Sequence, residues 1–222
     1  MKKLLYLAMA ALMVLAVSCK KDPASKTPPF KEKDLIGYWA CTQSITNDES
    51  PEIYPAQALL MKEDHNGGLS WRGDNYFFTW ALEGDDLKLL GEHVPDVSTL
   101  KKLDGRHMIW FQKFETTSIS YLDSYTNISA ILPGKWDITF DDGEDQQSYI
   151  VTIDKSGSSS WVSHEVDAGT YNWELLVKDS RVTIHFKGNG WEDYLIIHEI
   201  GSDDHLVARN NLYSSVTLER KQ

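Results

Sequence analysis

The feature that most constrains the fold is an internal duplication of about 90 residues, because two copies of one unit share one architecture. Gly37-Tyr38-Trp39 recurs as Gly134-Lys135-Trp136, and near the ends of the copies His107-Met108 recurs as His205-Leu206. Six of the eight tryptophans fall into three matched pairs: Trp39 with Trp136, Trp71 with Trp161, and Trp80 with Trp173. Ser118–Tyr121 is matched with Ser215–Leu218. Rare residues that repeat in the same order indicate a tandem duplication.

Each copy alternates large apolar and polar residues with the period of two that predicts β-strands. Trp136–Phe140 and Arg181–Phe186 show the alternation clearly, and turn-forming runs such as Gly188-Asn189-Gly190 separate the segments. About eight short strands are expected in each copy. No segment after the tether described below shows a sustained helical period. We therefore predict an all-β protein with two small antiparallel meander β-barrels in tandem.

The duplication also sets the expected domain boundaries. Residues 34–122 form the first domain and residues 131–222 the second, and the largely polar stretch 123–130 is interpreted as a linker. A linker this short allows the two barrels to lie against each other. Eight antiparallel strands enclose an interior that side chains fill, or that holds at most one small ligand.

Residues 1–18 have the organisation of a secretory signal peptide. Lys2 and Lys3 precede the apolar run Leu4–Val17, which is short for a transmembrane helix. Ser18 then leads directly into Cys19. This order resembles the lipobox of bacterial lipoproteins, which implies that cleavage precedes Cys19 and that fatty acids such as palmitate acylate it. An ordinary signal peptide followed by a chance cysteine is the alternative.

The residues that follow Cys19 narrow the expected location. Lys20–Pro23 is a charged stretch that resembles the export signal of surface lipoproteins in Bacteroidota. Residues 19–33 are rich in lysine and proline and are interpreted as the acylated residue with a flexible tether, because they bury too little apolar surface to fold. These resemblances imply a protein that a lipid anchors to the outer membrane, exposed on the cell surface, without spanning the bilayer.

The charge of the chain excludes several classes of partner. Its formal net charge is -11, and loss of Lys2 and Lys3 with the signal peptide changes it to -13 (-11 - 2). An acidic body argues against nucleic-acid binding and against adsorption to anionic lipid, so the lipid anchor is the expected membrane contact. If Cys19 is acylated, Cys41 has no intramolecular partner and the mature chain has no internal disulfide.

Sequence motifs for catalysis and metal binding are weak. The histidines are scattered without a His-Glu-x-x-His run, and there is no Gly-x-Ser-x-Gly element. Asp141–Asp145 is rich in carboxylates that could hold calcium, but it lacks the ligand spacing of an EF-hand loop and fits a hairpin turn better. We expect no enzymatic activity, no metal ion and no cofactor.

The pattern of motifs resembles the bacterial lipocalin-like domain, which is common in Bacteroidota lipoproteins. It consists of a Gly-x-Trp strand, a glycine turn and a Trp-x-Leu strand. The first copy carries Gly37-Tyr38-Trp39, Gly67-Gly68 and Trp80-Ala81-Leu82, and the second carries Gly134-Lys135-Trp136, Gly157 and Trp173-Glu174-Leu175. In lipocalins the tryptophan of the first strand packs across the closed end of the barrel, which implies a stabilising role here. The resemblance implies the fold and says almost nothing about the ligand.

The tryptophans divide into two groups by their neighbours. Trp39, Trp80, Trp136 and Trp173 are expected in the barrel cores, where each buries roughly 150–250 Å². The other four lie beside polar or small residues and are the candidate ligand-binding residues: Trp71, Trp110, Trp161 and Trp191. Exposed tryptophan beside polar groups suits sugar stacking or a protein hot spot, and burial in the core is the alternative for each.

Two classes of function follow from these expectations. The first is a non-catalytic binding module that engages a glycan, a small apolar ligand or a partner protein. The second is a structural or interaction subunit of an outer-membrane protein complex, with both barrels filled by side chains. A continuous cavity in either barrel favours the first class, and filled barrels with an exposed tryptophan patch favour the second.

Overall fold

The computed structural model describes residues 30–163, 167–188, 190–210, 212 and 215–222. The expected signal peptide, Cys19 and most of the expected tether lie outside the described residues. The described chain begins at Phe30 and makes a short 3-10 turn at Glu32–Asp34 before the first strand. Within the described residues, neither helical segment is long and apolar enough to cross a membrane.

The first half of the chain forms a closed antiparallel barrel. Its strands are β1 (Gly37–Thr46), β2 (Glu52–Ile53), β3 (Gln57–Met61), β4 (Asn66–Trp71), β5 (Asp74–Glu83), β6 (Asp86–Gly91), β7 (Val97–Leu103), β8 (His107–Phe114) and β9 (Ile119–Asn127). The strand β1 pairs with both β3 and β9, so that eight strands close and the short β2 lies beside β1.

The second half forms another closed barrel of eight strands, which confirms the predicted all-β tandem. A four-residue helix, α1 (Ile128–Ile131), joins the two. Each strand pairs with its sequence neighbours, and the last pairs with the first. The strands are β10 (Gly134–Asp141), β11 (Gln146–Ile153), β12 (Ser158–Ser163), β13 (Asp167–Lys178), β14 (Arg181–Gly188), β15 (Trp191–Ser202), β16 (His205–Arg209) and β17 (Ser215–Arg220).

The period of two in the sequence corresponds to side chains that point alternately to the inside and the outside of each barrel. On β10, Trp136, Ile138 and Phe140 are buried, while the residues between them are partly exposed. Successive side chains of a strand point to opposite faces, so each strand contributes every second residue to the core. Asp141 ends β10, and residues 142–145 form the turn that follows, where the carboxylate of Asp142 accepts hydrogen bonds from the backbone N–H groups of residues 144 and 145.

The first strand of each barrel closes one end in the same way. The indole Nε1 of Trp39 donates to the carbonyl of Leu35 at 2.7 Å, and that of Trp136 donates to the carbonyl of Leu132 at 2.7 Å. Both indoles are fully buried. The glycine two positions before each has a positive φ, 140° for Gly37 and 143° for Gly134. A side chain of the last strand lies against each glycine, where a Cβ atom would collide with it.

Strand pairing confirms part of the predicted alignment of the two copies. Trp39 lies opposite Leu59 and Asn127, and Trp136 lies opposite Val151 and Arg220, so these positions are equivalent. Trp80 and Trp173 are also equivalent, because each donates its backbone N–H across the preceding hairpin, to His65 and Gly157. The pair Met108 and Leu206 holds as well, since they lie opposite the equivalent residues Tyr125 and Leu218.

Two of the predicted matches are wrong by an even number of residues. Trp161 lies opposite Val151 and is equivalent to Leu69, which lies opposite Leu59, so Trp71 stands two residues farther along. The last strands are displaced by four residues from the predicted match, because Val216 is equivalent to Asp123 and not to Ile119. An even slip keeps every side chain on its face, which is why the sequence pattern does not reveal it.

The predicted linker is also wrong in its extent. Residues 123–127 are not a linker but the end of β9, paired with both β1 and β8. The connection between the barrels begins with α1, and Ile128 and Ile131 of this helix are buried. The polar composition of 123–127 indicates a loop, but a strand that closes a barrel is paired on both sides and carries such residues when their groups find hydrogen-bond partners.

The two barrels pack directly against each other. Ala40, Ala58 and Ile128 of the first half are buried in the same apolar cluster as the core of the second barrel. Polar contacts also join the two barrels. Tyr54 Oη donates to the carbonyl of Ile200 (3.1 Å), and Arg181 Nη2 donates to the carbonyl of Tyr54 (3.2 Å). Ser180 Oγ accepts from Gly73 N (2.8 Å) and lies 3.0 Å from Ser70 Oγ, while Asp203 binds Arg106 (3.2 Å) and His107 (2.9 Å). The pair is therefore held by an apolar centre and a polar rim.

Candidate functional site

The first barrel contains a cavity of about 330 Å³. Its rim includes the exposed residues His93 and Thr117, so it opens to solvent, and its deeper part reaches the buried side chains of Gln57, Gln112 and Asp123. The remaining lining residues are mostly apolar or aromatic: Leu69, Trp71, Tyr76, Phe114, Ile119 and Tyr121. An apolar cleft with a few convergent polar groups is the usual form of a small-molecule site.

Four donors converge on the carboxylate of Asp123, which is only 1% exposed. Oδ1 accepts from Ser44 Oγ at 2.6 Å. Oδ2 accepts from Gln57 Nε2 at 2.9 Å, from Gln112 Nε2 at 2.7 Å and from Tyr125 Oη at 3.2 Å. Gln57 Nε2 also lies in hydrogen-bond contact with Tyr125 Oη. We call these five side chains, Ser44, Gln57, Gln112, Asp123 and Tyr125, the polar floor of the first cavity.

Strand geometry explains why these residues meet. Asp123 on β9 lies directly opposite Ser44 on β1 and Trp110 on β8, and Tyr125 follows two residues later on the same face. A bulge at residues 41–43 of β1 shifts the register so that Ser44 faces inward beside Asp123. Bulges commonly re-aim a side chain in this way.

Burial dominates the electrostatics of the polar floor. Desolvation raises the pKa of Asp123, and the hydrogen bonds from Ser44, Gln57, Tyr125 and Gln112 partly offset that rise because they favour the ionised form. Burial likewise raises the pKa of Tyr125 well above its ordinary value, with a further contribution from the Asp123 charge. Burial, together with the Asp123 charge, also raises the pKa of the Cys41 thiol, so this free cysteine is held as a protonated core residue.

Aromatic rings form much of the wall above the polar floor. Trp71 and Tyr121 meet edge to face with centroids 5.9 Å apart, and Phe114 meets Tyr121 in the same manner at 6.2 Å. Tyr76 packs against His93 at 6.3 Å near the rim. Edge-to-face packing of this kind fixes the rings without filling the space between the walls. The wall therefore presents a rigid aromatic surface to a ligand.

The second barrel contains a cavity of about 310 Å³ with a different character. Trp161 lines this cavity and packs against five aromatic side chains with ring centroids 4.9–6.2 Å away: Phe140, Tyr149, Tyr171, Phe186 and Trp191. The polar lining residues are Gln147 and Asp193. Asp193 is partly exposed and accepts hydrogen bonds from Tyr194 N and Asn210 Nδ2.

The equivalent positions show how the two cavities differ. Strand pairing makes Ser44 equivalent to Phe140, Gln57 to Tyr149 and Asp123 to Val216. Three polar residues of the first barrel thus correspond to two aromatic rings and one aliphatic side chain in the second. The fold closes with either set, so the polar floor is not a requirement of the architecture.

The structure separates the four predicted ligand-binding tryptophans. Trp71 lines the first cavity, and Trp161 and Trp191 line the second. Trp161 is only 4% exposed and Trp191 is 37% exposed, so Trp161 contacts the cavity from within the core. The exposure expected of Trp110 and Trp161 is wrong: they are 1% and 4% exposed and belong to the cores of the first and second barrels.

The reason for the Trp110 error is the alternation on β8. Met108, Trp110 and Gln112 all face the interior, while Lys113 is exposed. Polar neighbours in sequence therefore give no information about the face of Trp110. Its Nε1 has no hydrogen-bond partner among the described residues, and neither has the buried hydroxyl of Ser98, which lies opposite Gln112. Ser98 and Trp110 thus lie opposite two members of the polar floor, Gln112 and Asp123, on neighbouring strands.

The polar floor is not apparent from the sequence motifs. The polar composition of 123–130 places Asp123 in a linker, and no motif singles out the other four members of the floor. A signal is nevertheless present in the alternation Tyr121, Asp123, Tyr125, which places an acidic residue on an otherwise aromatic inward face. Of the predicted ligand-binding residues only Trp71 belongs to the same site.

The carboxylate of Asp123 is bound by neutral donors among the described residues. Among the described residues, no group of three His, Cys, Asp or Glu side chains is placed to hold a metal ion. The hydrogen-bond partners that the structure describes for Asp123 are hydroxyls and amides, without the imidazole that would activate a nucleophile. No protein-family model matches the sequence, and no curated protein matches it.

Proposed function

We propose that this chain is a lipid-anchored, surface-exposed outer-membrane lipoprotein of the lipocalin-like type whose first barrel binds a small ligand without catalysis. The observation that carries the proposal is the cavity of about 330 Å³ with its aromatic wall and buried polar floor. A cavity of this size is at the small end of ligand sites, which span roughly 300–1,000 Å³. At the packing density of protein interiors, ~0.75, it accommodates a ligand of about 250 Å³ van der Waals volume.

The chemistry of the cavity narrows the ligand further. Trp71, Phe114 and Tyr121 supply apolar contact to the ligand's body, and Gln57, Gln112 and Asp123 supply hydrogen bonds to one polar end. A ligand that is apolar throughout would leave the polar floor without further partners, and a fully polar ligand would lose its hydration against the aromatic wall. The site therefore suits a small amphipathic molecule, and a protruding ring of a glycan is the next best occupant.

Native mass spectrometry of the protein purified from its own membranes tests this proposal. We expect a bound small molecule in the wild-type protein. The variant Leu69→Trp places an indole at the position equivalent to Trp161, which the second barrel tolerates, and we expect it to fill the first cavity and to lose the ligand. Unliganded wild-type protein that also fails to bind any member of a metabolite library would contradict the proposal.

An interaction subunit is a second candidate, supported by one surface feature. Phe77 and Leu90 lie on the outside of the first barrel, 76% and 78% exposed, and line one shallow groove with Leu60 and Gly68. Exposed large apolar side chains that lie together are typical of contact surfaces. The substitution Phe77→Ser is a matched control that should leave occupancy of the cavity by its ligand unchanged. It should weaken association with a partner protein only if this groove contacts that partner.

A further inference from the structure

The carboxylate of Asp123 is buried without a cationic partner. Among the described residues, no lysine, arginine or histidine nitrogen lies within the 4.0 Å of its oxygens that defines an ion pair, and its contacts are all with neutral donors. Burying a carboxylate costs several kcal/mol, and neutral hydrogen bonds recover only part of that. A charge kept in this position without a counter-charge is typical of a binding site whose ligand supplies it.

The carboxylate also retains capacity for one more hydrogen bond. A carboxylate offers about four acceptor sites, two on each oxygen. Oδ2 already receives three donors, whereas Oδ1 receives only the hydroxyl of Ser44 among the described residues. Oδ1 therefore has the open acceptor site, and Asp123 lines the cavity beside Gln57 and Gln112, the two residues bonded to Oδ2.

The aromatic wall favours the same type of ligand. A cation over the face of tryptophan or tyrosine is attracted by the ring quadrupole. Tyr76 and Tyr121 line the cavity above the polar floor together with Trp71, whose ring already has the Arg72 guanidinium 5.2 Å from its centroid. The formal net charge of -11 adds a long-range attraction that raises the local concentration of cations.

The second barrel provides an internal comparison. Its cavity has a similar volume, but Val216 occupies the position of Asp123 and Phe140 the position of Ser44. Its lining carboxylate, Asp193, is partly exposed and already bonded to Tyr194 N and Asn210 Nδ2. Of these two cavities, as their described residues line them, the first alone combines an aromatic wall with a buried carboxylate at its base.

We propose that the ligand of the first barrel carries a protonated amine, which docks on the carboxylate of Asp123 while its apolar or aromatic body lies between Trp71, Tyr121 and Phe114. This inference rests on the proposed binding function and specifies the class of ligand. An ammonium group supplies donors for the open site of Oδ1 and neutralises the buried charge. A carboxylate or phosphate at the same place would meet Asp123 as a like charge and be rejected.

A series of three isosteric probes tests the charge requirement on the full-length protein in detergent. The probes are tryptamine, tryptophol and indole-3-acetate, which share the indole and differ in the charge of the terminal group. Isothermal titration calorimetry at neutral pH measures the dissociation constant of each. We expect tryptamine to bind at least about tenfold more tightly than tryptophol, with indole-3-acetate the weakest.

Two variants and one control variant localise the preference. Asp123→Asn retains the shape of the side chain and should abolish the advantage of tryptamine over tryptophol, whereas Leu69→Trp should weaken both probes together. Phe77→Ser on the outer surface should change neither. If Asp123→Asn does not fold, as judged by circular dichroism, the comparison of the three probes on the wild-type protein decides the question alone.

The possible failures are distinguishable. Tryptophol or indole-3-acetate binding as tightly as tryptamine would overturn the amine proposal and leave the binding function intact. Binding of none of the three probes would overturn the amine proposal as well, and native mass spectrometry then tests the binding function separately. An amine preference that persists in Asp123→Asn would overturn the assignment to Asp123.

Discussion

Replacing Asp123 by valine, the residue at the equivalent position of the second barrel, tests how the polar floor is held together. The substitution removes the acceptor from Ser44, Gln112 and Tyr125, while Gln57 retains its contact with the Tyr125 hydroxyl. Each buried donor without a partner costs about 1–3 kcal/mol. Removing the buried charge returns part of that sum, and water from the cavity recovers more. We expect a net loss of about 2–4 kcal/mol in the free energy of unfolding.

A triple variant provides the matched control. Ser44→Phe, Gln57→Tyr and Asp123→Val together reproduce the side chains that the second barrel uses at its equivalent positions, Phe140, Tyr149 and Val216. Replacing a set of polar partners together by apolar groups is far less costly than removing one of them. We expect the triple variant to be more stable than the single variant, even though both lose ligand binding.

Urea titration followed by tryptophan fluorescence measures both variants on the full-length protein in detergent. The midpoint and slope together give the change in the free energy of unfolding. A loss below about 1 kcal/mol in Asp123→Val would show that water satisfies the stranded donors fully. A triple variant that is less stable than the single variant would refute the equivalence of these three positions in the two barrels, which is inferred from strand pairing.

Three further predictions concern the anchor, the barrel contact and the polar floor. Cys19→Ala should abolish labelling by a palmitate analogue and release the protein from membranes, whereas the buried Cys41→Ala should leave both unchanged; retention of Cys19→Ala in the membrane fraction would contradict the anchor. Ser180→Ala removes two hydrogen bonds between the barrels and should cost about 1–3 kcal/mol in urea titration, against a smaller effect for its exposed neighbour Asp179→Ala. Because the folded pKa of Asp123 is raised above 3.8, folding binds a proton in the window above that value. The stability of the wild type relative to Asp123→Asn should therefore be highest in acid and fall as the pH rises through this window, and a rise would contradict the sign.

Much of the fold could be predicted because the same structural unit occurs twice in the chain. The alternation on β10, from Trp136 to Phe140, gives both the strand and its buried face, and the Gly-x-Trp pair identifies the start of each barrel. The exact register between the two copies is harder to predict from the sequence, since a slip of two or four residues leaves every side chain on the same face. The predicted match of Trp71 with Trp161 is wrong for this reason: both face a cavity, but on positions two residues apart.

The candidate site was mostly beyond prediction because its chemistry depends on strands that are distant in sequence. Ser44 and Asp123 are brought together by closure of the barrel between its first and last strands, and the bulge in β1 that turns Ser44 inward leaves no sequence signature. Trp110 shows the converse, because local polar neighbours indicate exposure while closure buries it. The sequence alone could have predicted that β9 extends through Asp123, because the alternation that begins at Tyr121 continues past it.

The difference between the two barrels supports the proposal that the polar floor serves a ligand. One ancestral architecture closes around Phe140, Tyr149 and Val216 in the second copy, so aromatic and aliphatic side chains are sufficient for folding at these positions. The first copy instead buries a carboxylate, which raises its pKa and contributes less to stability than apolar packing does. Local departures from the requirements of packing are expected at functional sites. A buried charge that only one of two sister barrels carries at this position, at the base of an open cavity, therefore supports the proposal that this cavity binds a ligand.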